Sequence, residues 1–291
     1  MGRDTDRDWN ALAEEDPYWA VLTHDEFRGM VAADQDKLNA FLQSGREHVR
    51  HVWEAVEAAL VKPFSPERAL DFGCGVGRIA IPLAERCASV LALDVADAML
   101  ARARELCEQL QVRNVRIAKS DDTLSQADGG FDLIHSFIVF QHIPAQRGLR
   151  LIRRLTELMT DDGVGVIHVL YYNPDMATLR DRLAKSAWRK ARHPFRGVPQ
   201  MQMNAYPLND VLRIIQESGS RRIHVLPTDH GGCLGAILCF RRSRPGQRTQ
   251  SAEITEKCRH GGAKARRRHV SEPPRPRGAI RLSTAPGVQR P

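Results

Sequence analysis

Three glycines at alternate positions, Gly73, Gly75 and Gly77, follow directly on Leu70-Asp71-Phe72 and precede Arg78. Residues without a Cβ can take positive φ and let a ligand press against bare backbone. A helix expected over Val76 to Arg86 would add its free N–H groups at that point. A pyrophosphate-binding turn has the spacing G-x-G-x-x-G, and its third glycine would fall where this chain has Arg78. Here the spacing is G-x-G-x-G, and the Asp71 carboxylate would repel a pyrophosphate while suiting an ammonium group. Cys74, inside the turn, reads as a small residue that fits a tight bend rather than as a nucleophile.

Acids close the neighbouring apolar runs as well. Arg68 to Phe72 carries Asp71, and Ser89 to Asp94 ends in a carboxylate able to grip both hydroxyls of a ribose. Asn114 to Ser120 is followed by Asp121 and Asp122. Short apolar runs bounded in this way read as buried strands, and open α/β sheets bind ligands at the carboxyl ends of their strands. Phe131-Asp132-Leu133-Ile134-His135-Ser136 is a fourth run, ahead of Phe140-Gln141-His142-Ile143-Pro144.

Taken in order over residues 66 to 241, these features resemble a class I S-adenosylmethionine-dependent methyltransferase of the small-molecule branch. The resemblance implies a Rossmann-like α/β fold, a doubly wound seven-stranded sheet of order 3-2-1-4-5-7-6 whose final strand is antiparallel. It implies S-adenosyl-L-methionine as cofactor, held by Asp71, Gly73, Cys74, Gly75, Gly77, Asp94, Val95 and Ser136, and by Asp121 or Asp122, whose register stays open by one residue. A nicotinamide dehydrogenase would also place an acid where Asp94 stands, so Asp94 does not discriminate. Asp71, the missing third glycine and a terminal hairpin do, because a dehydrogenase sheet continues with parallel crossovers.

Methyl transfer from a sulfonium is an in-line displacement with a neutral leaving group, so alignment and desolvation carry much of the catalysis. A base is needed only for an acceptor that arrives protonated. His142 is the candidate; holding the Ile143-Pro144 turn is the other role open to it. His135, inside the fourth strand, is expected to face a packed helix. Tyr171, Tyr172, Asp229 and His230 are further pocket candidates. No Asn- or Asp-Pro-Pro-aromatic run follows the fourth strand, no Pro-Cys pair suggests cytosine chemistry, and no acidic cluster suggests a divalent metal. A small organic acceptor remains, with oxygen, nitrogen or carbon as the methylated atom.

The rest of the chain must position these groups. Residues 1–65 read as a helical cap, with one helix from Asp34 stopped by Gly45 and another over Arg46 to Val61 carrying Val49, Val52, Trp53, Val56 and Leu60 on one stripe. Trp19, Phe27 and Phe41 are either substrate-facing or ordinary packing residues. Residues 66–242 form the cofactor-binding domain. Within it, Ala145 to Met159 is expected as a helix, Asp161-Asp162-Gly163 as a turn and Val164 to Tyr171 as a strand. An acceptor-side insertion over 173–207 holds a basic helix, 174 to 192, and a loop with Met201, Met203 and Tyr206. Leu208 to Ser218 is the last helix. Arg221 to Pro227 and Cys233 to Phe240 bracket Asp229 to Gly232 as a hairpin.

Charge separates the tail from the body. Of 43 Lys and Arg and 35 Asp and Glu, residues 241–291 hold 14 and 3, net +11, leaving 29 and 32, net −3, for residues 1–240. Residues 243–291, rich in Arg and Pro, are expected to be disordered. They could bind nucleic acid electrostatically or simply be a solvated tail. An RNA or protein methyltransferase guided by this tail, and a cofactor-binding protein without turnover, are therefore the alternative functions. No run of 18 apolar residues is present, the amino terminus is too charged for a secretory signal, and six irregularly spaced cysteines give no disulfide or zinc framework. A soluble protein of the reducing cytoplasm is expected. Oligomeric state is not legible.

Overall fold

The computed structural model describes residues 5–31, 34–60, 63–174 and 201–243. All belong to one unit, Met1–Gln247. The second unit, Arg248–Pro291, lies outside the described residues, as do the tail from 244 and residues 175–200 of the expected basic insertion with Trp188.

The acid-terminated runs are strands: β1 Arg68–Phe72, β2 Ser89–Asp94, β3 Val115–Lys119 and β4 Phe131–Ser136. With β5 Met159–Tyr172, β6 Ser220–His230 and β7 Cys233–Arg242 they form one sheet of order β3-β2-β1-β4-β5-β7-β6. The first five strands are mutually parallel, and β7 runs antiparallel between β5 and β6. Side-chain alternation sorts the two faces. Leu70, Phe72, Leu91 and Leu93 meet α6 Ala145–Glu157 and α7 Leu208–Glu217 through Leu151, Ile152, Leu155, Val211 and Ile215. Ala69, Val90 and Ala92 face the other way, onto Val49, Val52, Trp53 and Val56 of α3 Gln35–Leu60. Each of those buried valines contributes about 1.5–3 kcal/mol. A third cluster joins α1 Thr5–Glu15, α2 Pro17–Leu22 and the start of α3 to Met99 and Leu106 of α5 Asp97–Gln109.

Four local expectations change. Gly45 does not stop a helix, because α3 runs through it: a Cβ there would stand 2.0 Å from the Arg78 carbonyl oxygen, so glycine permits a backbone approach. The helix after β1 is only α4 Ala80–Ala84, since Gly77 at φ 91° lies inside the expected span and cannot be helical. Asp161 to Gly163 is not a turn; the residues lie inside β5 as an irregularity, with pairing shifting between Phe131↔Met159 and Leu133↔Val164 and Asp162 at φ 75°. The final hairpin turns on Gly231 and Gly232 alone, with His230 paired to Cys233. No element is expected over 97–109, yet α5 buries Met99, Leu100, Ala103, Leu106 and Cys107 at helical spacing.

Candidate active site

At the carboxyl ends of β1, β2 and β4 lies a cavity of about 450 Å³, within the usual size of a small-ligand site. Its floor is the glycine turn. Gly73, Gly75 and Gly77 have φ of 77°, 54° and 91°. A Cβ on Gly73 would lie 2.3 Å from the Val139 side chain, and one on Gly75 would lie 2.8 Å from Val21. The turn amides do not point outward as expected. Gly73 and Cys74 donate to the Leu93 carbonyl, Gly77 donates to Cys74, and Gly75 donates to Asp94 Oδ2 at 2.9 Å. Asp94 Oδ1 accepts from the Ala96 amide, also at 2.9 Å. Burial raises the Asp94 pKa and these amides oppose the shift. The carboxylate is thus a fixed post between turn and strand, with lone pairs left for a ligand.

Gly73, Cys74, Gly75, Asp94, Val95, Asp121, Asp122 and His142 line the cavity, whereas Asp71, Gly77 and Ser136 stand outside its lining. Asp71 is buried, and its Oδ1 bonds His135 Nδ1 at 2.9 Å while Oδ2 has no partner. His135 does face a helix: its Nε2 lies 2.9 Å from Nε2 of His48 on α3. Burial, then the proximity of His135 and Arg78, holds the His48 pKa well below its ordinary value. A neutral His48 ring and a single proton between the two Nε2 atoms satisfy the contact. Cys74 is buried and its thiol pKa is pushed up by burial and by Asp94 and Asp71, which removes it as a nucleophile.

Both acids after β3 are already engaged. Asp121 accepts from the Thr123 amide at 2.8 Å, from the Thr123 hydroxyl at 2.6 Å and from the Ser125 hydroxyl, and these bonds lower its pKa. Asp122 receives Arg147 Nε at 2.6 Å. The other edge of that guanidinium grips both oxygens of Asp6 on α1, at 2.6 and 2.8 Å. Arg147 therefore ties the amino-terminal helix to the loop after β3 across the cavity rim.

The remaining wall is more apolar. His142 is buried, packs edge-on to Trp9 with centroids 4.8 Å apart, and has Nδ1 2.7 Å from the Gln202 carbonyl. A carbonyl only accepts, so Nδ1 carries the proton and Nε2 presents a lone pair, 3.2 Å from Gln141 Nε2. Burial lowers its pKa to about 4, against the raising effect of the Gln202 bond. Met201, Met203 and His230 also line the cavity. Phe27 and Phe41 do not; they pack in the core against Tyr18 or each other, and Trp19 lies under the Arg28 guanidinium, 4.1 Å away. Tyr171 and Tyr172 are exposed, and Asp229 accepts from the Gly232 amide of the hairpin. Tyr206 is buried and donates to the Ile143 carbonyl. Trp9, Arg78, Gln141 and Arg147 enter the lining without having been expected there; of these only Gln141, beside His142, had a local signal.

Residues 69–163 match the methyltransferase domain family. A 23S rRNA (uracil(1939)-C(5))-methyltransferase of Alkalilimnicola ehrlichii is 36% identical over 86 residues, 28% of this chain and 19% of that protein. A malonyl-[acyl-carrier protein] O-methyltransferase of Geobacter sulfurreducens is 29% identical over 182 residues, 61% of this chain and 64% of that protein. The matched stretch is thus less than two thirds of the length of either relative. The crystal structure of magnesium protoporphyrin IX methyltransferase from Synechocystis PCC 6803 with bound SAH superposes with a TM-score of 0.53 and 22% identity, over 81% of this chain and 96% of that one. At that identity the likeness is one of fold.

Proposed function

We propose that this chain is a class I S-adenosylmethionine-dependent methyltransferase that transfers a methyl group from S-adenosyl-L-methionine to a small organic acceptor, a reading supported by the methyltransferase-domain match over residues 69–163. The observation that carries the reading is the continuity of one cavity from the Asp94-anchored glycine turn to the apolar wall around His142. The residues present fit the cofactor, because the bare backbone at Gly73 and Gly75 leaves room only where no Cβ intrudes and Asp94 keeps acceptor capacity for a diol. Asp94, Gly73 and Val95 would hold the nucleoside. When bound, the cofactor supplies an electrophilic methyl on a sulfonium that leaves without a proton.

His142 takes up the acceptor's proton on Nε2 as the acceptor displaces the Gln141 amide that donates to it. Its low pKa keeps it neutral at physiological pH. Such a weak base suffices when the acceptor becomes strongly acidic as the new bond forms. Trp9, Val139, Met201 and Met203 exclude water around that pair. An O- or N-bound proton on an otherwise apolar acceptor fits this wall best. No helix among the described residues is long and apolar enough to cross a membrane, and Cys74, Cys87, Cys107 and Cys239 are in no disulfide among the described residues. Both support a cytoplasmic enzyme. The helical segment over 1–65 acts as the cap, 173–207 as the acceptor side and 243–291 as a dispensable tail. Incubating the protein with labelled cofactor and pooled small acceptors, then seeking a 14-dalton addition by mass spectrometry, tests the reading. Cofactor binding with no methylated product from any acceptor would reject it, and turnover abolished by deleting 243–291 would shift it toward an RNA acceptor.

A further inference from the structure

Gln141 and His142 are neighbours on the short 3-10 turn Phe140–His142 that follows β4, and both are buried at the cavity. Adjacent residues on a helical turn do not ordinarily face each other, yet the Gln141 amide folds back to within 3.2 Å of the His142 ring. Residues 202–204 hold the pair in place. The Gln202 carbonyl accepts from His142 Nδ1 at 2.7 Å, and Met203 Sδ lies 3.5 Å from Gln141 Nε2. Asn204 donates its backbone and side-chain amides to the Gln141 backbone carbonyl at 2.6 and 3.1 Å. These contacts fix which way the Gln141 side chain faces. With the proton on Nδ1, a neutral His142 offers only a lone pair at Nε2, so Gln141 must present its NH₂ there and direct its second proton to Met203. The side-chain oxygen Oε1 is left enclosed and without a partner among the described residues. An unpaired buried oxygen destabilises the fold, and an apolar side chain of the same length would not carry that cost.

Protonation of His142 inverts this preference. Nε2 then carries a hydrogen, the NH₂ group meets it donor against donor, and the idle amide oxygen is the complement the ring needs. We propose that Gln141 is the positioning residue of the base: displaced by the acceptor, its amide returns oxygen foremost once His142 has taken the acceptor's proton, and that oxygen holds the imidazolium. The proton leaves an O–H or N–H of the acceptor with the bonding electrons staying on that atom, resides on Nε2, and passes to water when the cavity empties. No covalent bond of Gln141 forms or breaks. The exchange favours the charged ring, because two weak neutral contacts, to an aromatic nitrogen and to sulfur, give way to one charge-assisted hydrogen bond. Of the ionisable groups around His142, Asp6, Asp122 and Arg147 pair with one another, His230 lines the same cavity, and His168 stands close enough to feel a charge on the ring. The inference rests on His142 as the base of the reaction proposed above.

The test uses the full chain, wild type and Gln141→Met, with carbon-13-labelled histidine and NMR, the His142 resonance being assigned by its absence from His142→Gln. If the amide oxygen serves the imidazolium, its loss makes His142 a weaker base, and the titration midpoint near 4 in wild type falls to about 3 in Gln141→Met. An amide fixed with its NH₂ toward Nε2 predicts the opposite sign, since removing a donor that favours the neutral ring raises the midpoint. A midpoint unchanged or raised would overturn the proposal. Turnover at neutral pH reads the same point, with the acceptor that the mass-spectrometric screen identifies. Gln141→Met should lower kcat roughly 10-fold. An intact kcat with a lower acceptor KM, the mark of a residue that only caps the base, would overturn the proposal. So would a lowered melting temperature with weakened S-adenosylhomocysteine binding and a midpoint moved toward 6.5, the mark of a glutamine that only closes the site. A screen with no methylated product rejects the reaction itself, while the NMR midpoint still decides what the amide does.

Discussion

The floor of the cavity and the wall opposite it are held by different bonds. The floor is fixed through the main chain of the turn: the Gly73 and Cys74 amides donate to the Leu93 carbonyl of the adjacent parallel strand, and the Gly75 amide donates to the Asp94 carboxylate. The opposite wall is fixed by side chains reaching across the sequence, with Arg147 clamping Asp6 and Asp122 and His142 held by the Gln202 carbonyl and the Trp9 ring. A backbone-fixed floor suits a ligand of constant shape. A wall of side-chain links and methionines suits an acceptor that can change without refolding the sheet.

That contrast breaks most visibly at His142. His142→Gln should lower turnover roughly 10²- to 10⁴-fold while leaving affinity for the cofactor nearly unchanged, since the floor is untouched. Turnover against pH sharpens the point. The folded pKa near 4 keeps the base neutral, so wild-type turnover should stay flat down to about pH 5 and fall only as pH drops through about 4. A fall centred near 6.5 would mean an exposed histidine carries the proton. Stability follows the same linkage: burying neutral His142, and His168 with a pKa lowered to about 3 mainly by burial, stabilises fully above pH 6.5. This stabilisation declines as pH falls from 6.5 toward 4, where the unfolded chain binds protons first.

Asp94→Ala strikes the floor and should weaken cofactor binding by about 1.5–3 kcal/mol. It should also lower the melting temperature, because the Gly75 and Ala96 amides lose their acceptor. Unchanged affinity in calorimetry would place the nucleoside elsewhere. The smallest effect belongs to the rim. Arg147→Ala removes a half-exposed ion network and should cost about 1 kcal/mol or less, shrinking as salt rises. Its larger signature should be faster cofactor release in stopped flow, since α1 loses its tie to the loop after β3.

The floor was legible in the sequence because its signals are local. Apolar runs ending in acids, a glycine spacing and a glycine hairpin each fit within a dozen residues, and β1, β2 and β4 begin and end where the residue pattern put them. The wall was not, because its contacts span long separations: 141 residues between Asp6 and Arg147, and 60 between His142 and Gln202. Gly45 misled for the same reason. A glycine in a helical stretch signals a stop when read locally, but here it answers to the backbone of Arg78 beyond β1. Asp71 shows a contact that its residue type did not signal: His135 on β4, with His48 behind it, bonds one carboxylate oxygen.

Titration calorimetry of the purified full chain with S-adenosylhomocysteine and, separately, with NAD tests the central claim most directly. One molar equivalent of S-adenosylhomocysteine should bind to wild type, less tightly to Asp94→Ala, and NAD should give no heat. Preferential binding of NAD, or S-adenosylhomocysteine affinity indifferent to Asp94 in a folded variant, would contradict it.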